Sequence, residues 1–569
     1  MMRPFLRGGL VLAALLCLQA CGDKVDRSAP LAFAPADTPW IFANLEPVPE
    51  PVRGRFETQV QAAWPVMFEM FDDSLEQLRT LSADAPEAAD AATALRLFEG
   101  VLDELRTRDT PAKWREIGFG TDARMALYGI DLMPVMRVEL ADPAAFRALV
   151  ARLEQKAGQP LATLRIGEQD AWTFGGEPVG GLMAIHGGHL VLAMVPGDAD
   201  ETIKRRLLGL DQPARSMAED AAFATFNKQR GYLPYGSGWV DTRRIVALAA
   251  SEGHGLAIAR AKDAAPTALD ATCRAELDSI AAKAPRIAFG YTAFEADRMA
   301  MHARIDLDPA IAASLMSLGA STPGAPSRDA LLDFGVALPI LGLRDFLVAQ
   351  ADAVAKAPYA CKHLAALNTG FAELKPKLEG MLPPPVANLS GVRLTATRLD
   401  WPQDAQMPDV AGTLLIGSGS PALLAGLAQL ASPELQRIVL TPDGKPVAIP
   451  ASALPPGFAD VPVSVAMGEK ALAIAIGKDD TARLAAAVTA APASPGTWID
   501  MSFDGRVYGL FGDAIDRFGA FLPDADRKGL EAQRKLYAMY AKWFKRLDVR
   551  VAIVAEGIDL TESAEFVVP

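Results

Sequence analysis

The sequence predicts an α+β fold built as two tandem, pseudo-repeated halves, each a mostly antiparallel sheet packed against helices. Three observations carry that expectation. Several stretches alternate apolar and polar residues, as residues 299–307 do, which is the pattern of an antiparallel sheet with one wetter face. Helical patterns with start signals follow some of these stretches, and no glycine-rich strand-to-helix turn of a doubly wound α/β sheet is present. Four landmarks then recur in the same order on both sides of residues 319–329 (GASTPGAPSRD), whose Gly, Pro and Ser content reads as a linker.

In chain order, the first half (residues 38–318) opens with helical patterns at 60–81 and 87–107. The strand PVMRVEL runs into Asp142 and Pro143, an N-cap and a first-turn proline, and then into the helix AAFRALVARLEQ. A hairpin, MAIHGGHLVLAMV, precedes Gly197 and Asp200, which open another helix. Trp239, Val240 and Asp241 follow, and the half closes on a hairpin, FGYTAFEADRMAMHARIDL. The second half (330–569) repeats the series with VAGTLLIG, Ser420 and Pro421, and the helix ALLAGLAQL. The hairpin VSVAMGEKALAIAI then leads to Gly477 and Asp480, followed by Trp498, Ile499 and Asp500. A helical addition at 513–547 precedes the last hairpin, VRVAIVAEGIDLTESAEFVV. The spacing agrees, with 55 residues from Asp142 to Gly197 and 57 from Ser420 to Gly477.

The N-terminus carries Arg3 and Arg7, then an apolar run at residues 8–18. A membrane-spanning helix needs about 20 apolar residues, and this run is little more than half of that. It ends in Leu18, Gln19, Ala20 and Cys21. This segment resembles the lipobox signal peptide of bacterial lipoproteins. The resemblance implies cleavage of residues 1–20, diacylglycerol on the Cys21 sulfur and a third fatty acyl chain, such as palmitate. The implied partner is therefore a membrane, reached through the N-terminal lipid. Two chains already anchor stably, at about 0.8 kcal/mol per buried methylene. Gly22, where an Asp would imply inner-membrane retention, implies sorting to the outer membrane, facing the periplasm. Residues 21–37 read as a lipidated tether with a span on the order of 20 Å.

Loss of Arg3 and Arg7 leaves two fewer basic residues than the full chain's 56 against 69 acidic ones, a net charge of −15. That balance argues against nucleic acid and anionic headgroups as general partners. At 569 residues the chain is too long for one ordinary core. Of its four cysteines, Cys17 leaves with the signal and Cys21 is lipidated, which leaves Cys273 and Cys361 in an oxidising compartment. Each begins a helical pattern, CRAELDSIAAK and CKHLAALNTGF, so the two are expected to form a disulfide across the linker.

Candidate chemistry is sparse. His186 and His189 flank Gly187 and Gly188, a turn that places two imidazoles on adjacent strands, read here as solvated. Asp524, Asp526 and Gly529 match three positions of a calcium loop, but position 12 is Lys535, so a helix start is the better account. Ser237 and Ser418 lie between glycines without the spacing of a nucleophile elbow. The acidic pairs Asp72 with Asp73 and Asp479 with Asp480 read as a solvated helix face and a helix start. Trp239 with Asp241 and Trp498 with Asp500 share i, i+2 spacing, which puts each pair on one strand face and makes them candidates for a ligand wall. No cofactor or metal is expected. These observations point to a non-catalytic envelope lipoprotein that binds or scaffolds, with an envelope protein as a possible partner. The alternatives are a periplasmic hydrolase with a dispersed active site and a carrier of a hydrophobic ligand, which requires a cavity of several hundred Å³.

Overall fold

The computed structural model describes residues 26–83, 88–176, 178–251, 269–400, 409–454, 461–477, 481–519 and 524–568. The architecture is α+β, with one continuous 19-stranded sheet. Before the linker lie β1 (Trp40–Asn44), β2 (Met125–Ile130), β3 (Met133–Glu139), β4 (Thr163–Ile166), β5 (Gln169–Gly175), β6 (Val179–His186), β7 (His189–Pro196), β8 (Ser237–Asp241), β9 (Arg286–Phe294) and β10 (Arg298–Asp306). After it lie β11 (Leu332–Ala337), β12 (Leu389–Asp400), β13 (Asp409–Ser418), β14 (Val447–Ala448), β15 (Val463–Met467), β16 (Ala471–Ile476), β17 (Thr497–Asp504), β18 (Phe544–Val554) and β19 (Gly557–Phe566).

Neighbouring strands pair antiparallel throughout. Outward from β10 the order is β9, β8, β1, β2, β3, β7, β6, β5, β4. Outward from β19 it is β18, β17, β11, β12, β13, β16, β15, β14. The two series meet where β10 pairs with β19 over Arg298↔Glu565 to Asp306↔Gly557.

Local chemistry fixes the helix ends. Asp142 accepts from the Ala144 and Ala145 amides, Pro143 opens the helix Pro143–Ala157, and Gly158 ends it at φ +76°, where a side chain would be strained. Asp200 caps Glu201–Leu208 through the Ile203 amide. The expected helix at 60–81 falls inside Glu50–Ala83, and Ala88–Arg106 fills all but the two end residues of the one expected at 87–107. The expected addition at 513–547 is two helices, Val507–Phe518 and Asp524–Trp543, and its last residues already belong to β18. Asp524, Asp526 and Gly529 lie in that second helix.

Helices cover parts of both sheet faces rather than one. In the first half, Leu207, Leu208, Phe223 and Phe226 close over Ile41, Tyr128, Val191 and Trp239. On the other side, Phe146, Leu149 and Val150 pack against Ile185 and Leu190. In the second half, Leu484 and Val488 cover Leu415, Ala471 and Ala473, while Ala425 packs opposite with Val465 and Leu472.

Two segments depart from the sequence expectation. Residues 26–37 are not a solvated tether: Pro30–Phe33 forms a 3-10 turn and Phe33 is 5% exposed, because its ring fills the interior above β3. Residues 319–329 are not a free linker either, since Ala320 and Thr322 are buried and the Thr322 hydroxyl bonds Asp500. Cys21 lies outside the described residues.

Cys273 and Cys361 are disulfide-bonded, with Cα atoms 4.7 Å apart. Cys273 sits in the first turn of Ala271–Lys283, whose N-cap Asp270 accepts its amide, and Glu276 of that helix accepts the Ala360 and Cys361 amides. Further contacts tie the two sides of the chain. Lys535 pairs with Glu69 at 2.8 Å, and the Arg55 guanidinium lies 3.6 Å over the Phe566 ring.

Candidate functional site

A cleft of about 800 Å³ opens in the second half, above the end of β13. Its walls come from residues 318–324, the start of the helix Ile340–Lys356, the start of β12, the β15–β16 turn and the end of the helix Thr481–Thr489. Leu318, Ile340, Leu341, Leu389, Leu415 and Val488 give it an aliphatic lining, and Ser390, Asp443, Glu469 and Lys470 supply polar groups. Gly417 lies on the floor, where a Cβ would stand 2.5 Å from the Ser390 hydroxyl and 3.1 Å from Pro323 Cβ. Asp443 accepts from Thr441 and pairs with Lys445 at 2.8 Å; the Lys445 contact first, then the Thr441 bond, hold its carboxyl at about 2.

The wall formed by Thr322, Pro323 and Gly324 is held from beneath by a buried ion network. Arg393 of β12 bonds Asp333 of β11 and pairs with Asp500 of β17 at 2.8 Å. Its Nε donates to the Pro323 carbonyl at 2.7 Å and its Nη2 to Thr322 Oγ1 at 3.1 Å. Thr395 donates to Asp333 at 2.7 Å. Gly335 pairs with Arg393 on one side and Asp500 on the other, and a Cβ there would stand 2.7 Å from Arg393 Nη2, so only glycine leaves room for the guanidinium. One cation serves two acids in this network. Burial pushes the Asp333 carboxyl up, Arg393 opposes that, and Asp500 adds to it.

The four residues expected to form a ligand wall serve separate roles. Trp239 is buried against Phe223 and Phe226, with ring centroids 5.4 and 4.7 Å away. Asp241, the last residue of β8, caps the helix Thr242–Ala249 through the Arg244 amide and pairs with Arg286 at 3.3 Å. Asp500 belongs to the ion network, four residues before β17 ends at Asp504. Trp498 is half-buried and its Nε1 has no partner. Strands β9, β10, β19 and β18 lie between β8 and β17, so the two pairs share no wall. Asp241 ends β8 while Asp500 lies in the middle of β17, so the two similar tripeptides hold different places.

The histidine turn also differs from expectation. His186 and His189 do pair across Gly187 and Gly188, but His189 is only 2% exposed and Phe33 packs against both rings. Burial, aided by Arg137, holds His189 at about 4. Among the described residues no group of three His, Cys, Asp or Glu could hold a metal ion. Asp480 lies outside the described residues.

A chain of polar groups across the sheet centre was not legible in the sequence. Tyr232 Oη lies 2.9 Å from His302 Nδ1, and His302 Nε2 lies 3.3 Å from Asp559, which also pairs with Arg304. Burial raises the Asp559 carboxyl, but the bonds from His302 and Arg304 outweigh it and leave the group at about 2. These residues join β10 to β19 and line no cleft described above. No helix among the described residues is long and apolar enough to cross a membrane. Compared with protein-family models, curated proteins and solved structures, the chain matches none of them.

Proposed function

We propose that the chain is a non-catalytic lipoprotein of the bacterial envelope, held at the outer membrane by lipid on Cys21, and that its second-half cleft binds a small amphipathic ligand. The observation that carries the binding reading is the open, aliphatic cleft of about 800 Å³ with polar groups at its edge. This is the size expected of a site for a hydrophobic carrier, which favours that reading within the binding class. A hydrolytic reading has less support. Ser321 Oγ donates to the Ala493 carbonyl at 2.6 Å, and neither Ser321 nor Ser390 has a histidine beside it in the cleft lining. Export is supported by Arg3, Arg7 and the apolar run before Cys21, and by the disulfide, which persists in an oxidising compartment.

We also infer that the halves are copies of one unit. The like order of strands outward from β10 and from β19 supports this, as does the recurrence of a helix after β3 and β13 and after β7 and β16.

The test has two parts. Cys21→Ala moves the protein from the membrane fraction to a soluble or unprocessed form; unchanged processing and retention overturn the anchor. Ser390→Trp fills the cleft from an exposed wall position and lowers binding of the apolar dye 1-anilinonaphthalene-8-sulfonate at least tenfold. Equal dye binding by both proteins overturns the cleft as the ligand site.

A further inference from the structure

β3 carries one guanidinium into the interior of the first half without an acid to meet it. Arg137 is 0% exposed. Its Nη2 donates to the Leu208 carbonyl at 2.7 Å, while Nε and Nη1 have no partner. The Phe33 ring covers the guanidinium at 3.7 Å. The carbonyl belongs to the end of the helix Glu201–Leu208, whose dipole offsets part of the charge, as a cation at a helix C-terminus does. The contrast with the second half is informative: Arg393 is equally deep but has Asp333 and Asp500. The acid nearest Arg137 along its own strand face, Glu139, is taken by Arg124 at 2.5 Å. Proteins rarely leave a buried charge without a counter-charge.

Two other buried polar groups stand near it: the Tyr128 hydroxyl, which interacts with the Arg137 guanidinium and has no further partner, and His189 Nδ1, which has none. Ala126 of β2 and Val191 of β7 pair with Arg137, so Tyr128 and His189 are its diagonal neighbours on the same face, within reach of long side chains. The Phe33 ring lies 5.8 Å from the His189 ring, which places guanidinium and imidazole under one cover. Nε–H and Nη1–H are donors, and the phenol and a neutral imidazole can each turn a donor the same way, with no carboxylate among them. Such a set, centred on a guanidinium, is complementary to an oxyanion.

There is room beside the cover. Phe33 borders a cavity of about 720 Å³, and His189 borders another of about 420 Å³. Leu415, flanked by Arg393 and Ala473 in β13 as Arg137 is by Ala126 and Val191 in β3, lines the open cleft of the second half. The matching place on this sheet is therefore one that can stand open. Phe33 sits on a segment whose backbone is tied to residues 215–217 by Met217 N to Ala34 O at 2.8 Å and Ala36 N to Arg215 O at 3.0 Å.

We propose that Arg137, Tyr128 and His189 form an oxyanion-binding site for a phosphate group, covered by Phe33 and occupied when that ring swings aside. The phosphate is either free or the headgroup of a phospholipid, and the test separates the two. It uses the detergent-extracted full mature chain, with calorimetric titration of inorganic phosphate and of dihexanoylphosphatidic acid at constant ionic strength against chloride. Phe33→Ala binds phosphate at least tenfold more tightly than the unsubstituted chain, and adding Arg137→Met abolishes that binding. Arg137→Met keeps the fold, because an apolar residue of similar length replacing a buried charge is often neutral or stabilising. Should Phe33→Ala unfold, Phe33→Leu removes the ring from the guanidinium and keeps an apolar cover. Tenfold tighter binding of the lipid assigns the headgroup as ligand, and the reverse assigns free phosphate. No phosphate binding above chloride in the Phe33 variant, or binding within twofold after Arg137→Met, overturns the proposal.

Discussion

Replacing Arg393 with methionine removes the cation that Asp333 and Asp500 share and leaves two buried carboxylates facing Gly335. Methionine is nearly as long, so the loss comes from charge rather than from a cavity. Breaking a buried pair by removing one partner costs roughly 3–5 kcal/mol. A second route sets a ceiling. One of the two carboxyls can always protonate and share its proton with the other, and from an ordinary value of 3.8 this costs about 4 kcal/mol at pH 7 and about 1.6 kcal/mol at pH 5, at roughly 1.36 kcal/mol per pH unit. The expected destabilisation is therefore about 4 kcal/mol at pH 7, shrinking to about 2 kcal/mol at pH 5. The sign follows from linkage. A carboxyl with a raised folded pKa contributes stability that is present below its unfolded value and lost as pH rises through the folded one. Urea unfolding followed by circular dichroism at both pH values measures this, and adding Asp333→Asn and Asp500→Asn flattens the pH dependence. An equal loss at both pH values, or less than about 1 kcal/mol at pH 7, refutes the reasoning.

Two further outcomes are expected. Replacing Cys273 and Cys361 with alanine opens a loop of 88 residues and lowers stability by about 4–5 kcal/mol in the chain-entropy account, while two free thiols in the denatured, unreduced native protein contradict the bond. His189, held neutral at about 4 by burial and Arg137, contributes stability that is full above its unfolded value of 6.5 and is lost as pH falls from there toward 4, by about 3 kcal/mol; His189→Gln removes that acid sensitivity, and an unchanged profile counts against the burial.

Much of the fold was legible because its signals are local. Alternation located strands such as β10, and Asp142 with Pro143 announced a helix by satisfying its first amides. The disulfide followed from elimination, since only two cysteines remain beyond Cys21. Alternation reveals two strand faces but not which of them is covered. In β12 the polar phase containing Arg393 and Thr395 is the buried phase, because Asp333 and Asp500 arrive from strands 60 and 107 residues away. Phe33 in a Pro- and Ala-rich stretch reads as tether, because nothing nearby in sequence shows the guanidinium it covers. The cleft was invisible for the same reason: residues from seven separate segments line it, and none forms a motif.

The central claim, that the second-half cleft holds a ligand in the envelope-anchored protein, is tested most directly by native mass spectrometry of the chain extracted gently from membranes. The account predicts a bound small molecule on the unsubstituted protein that is absent from Ser390→Trp, with both proteins melting at the same temperature. The same bound mass on both proteins, or on neither, contradicts it.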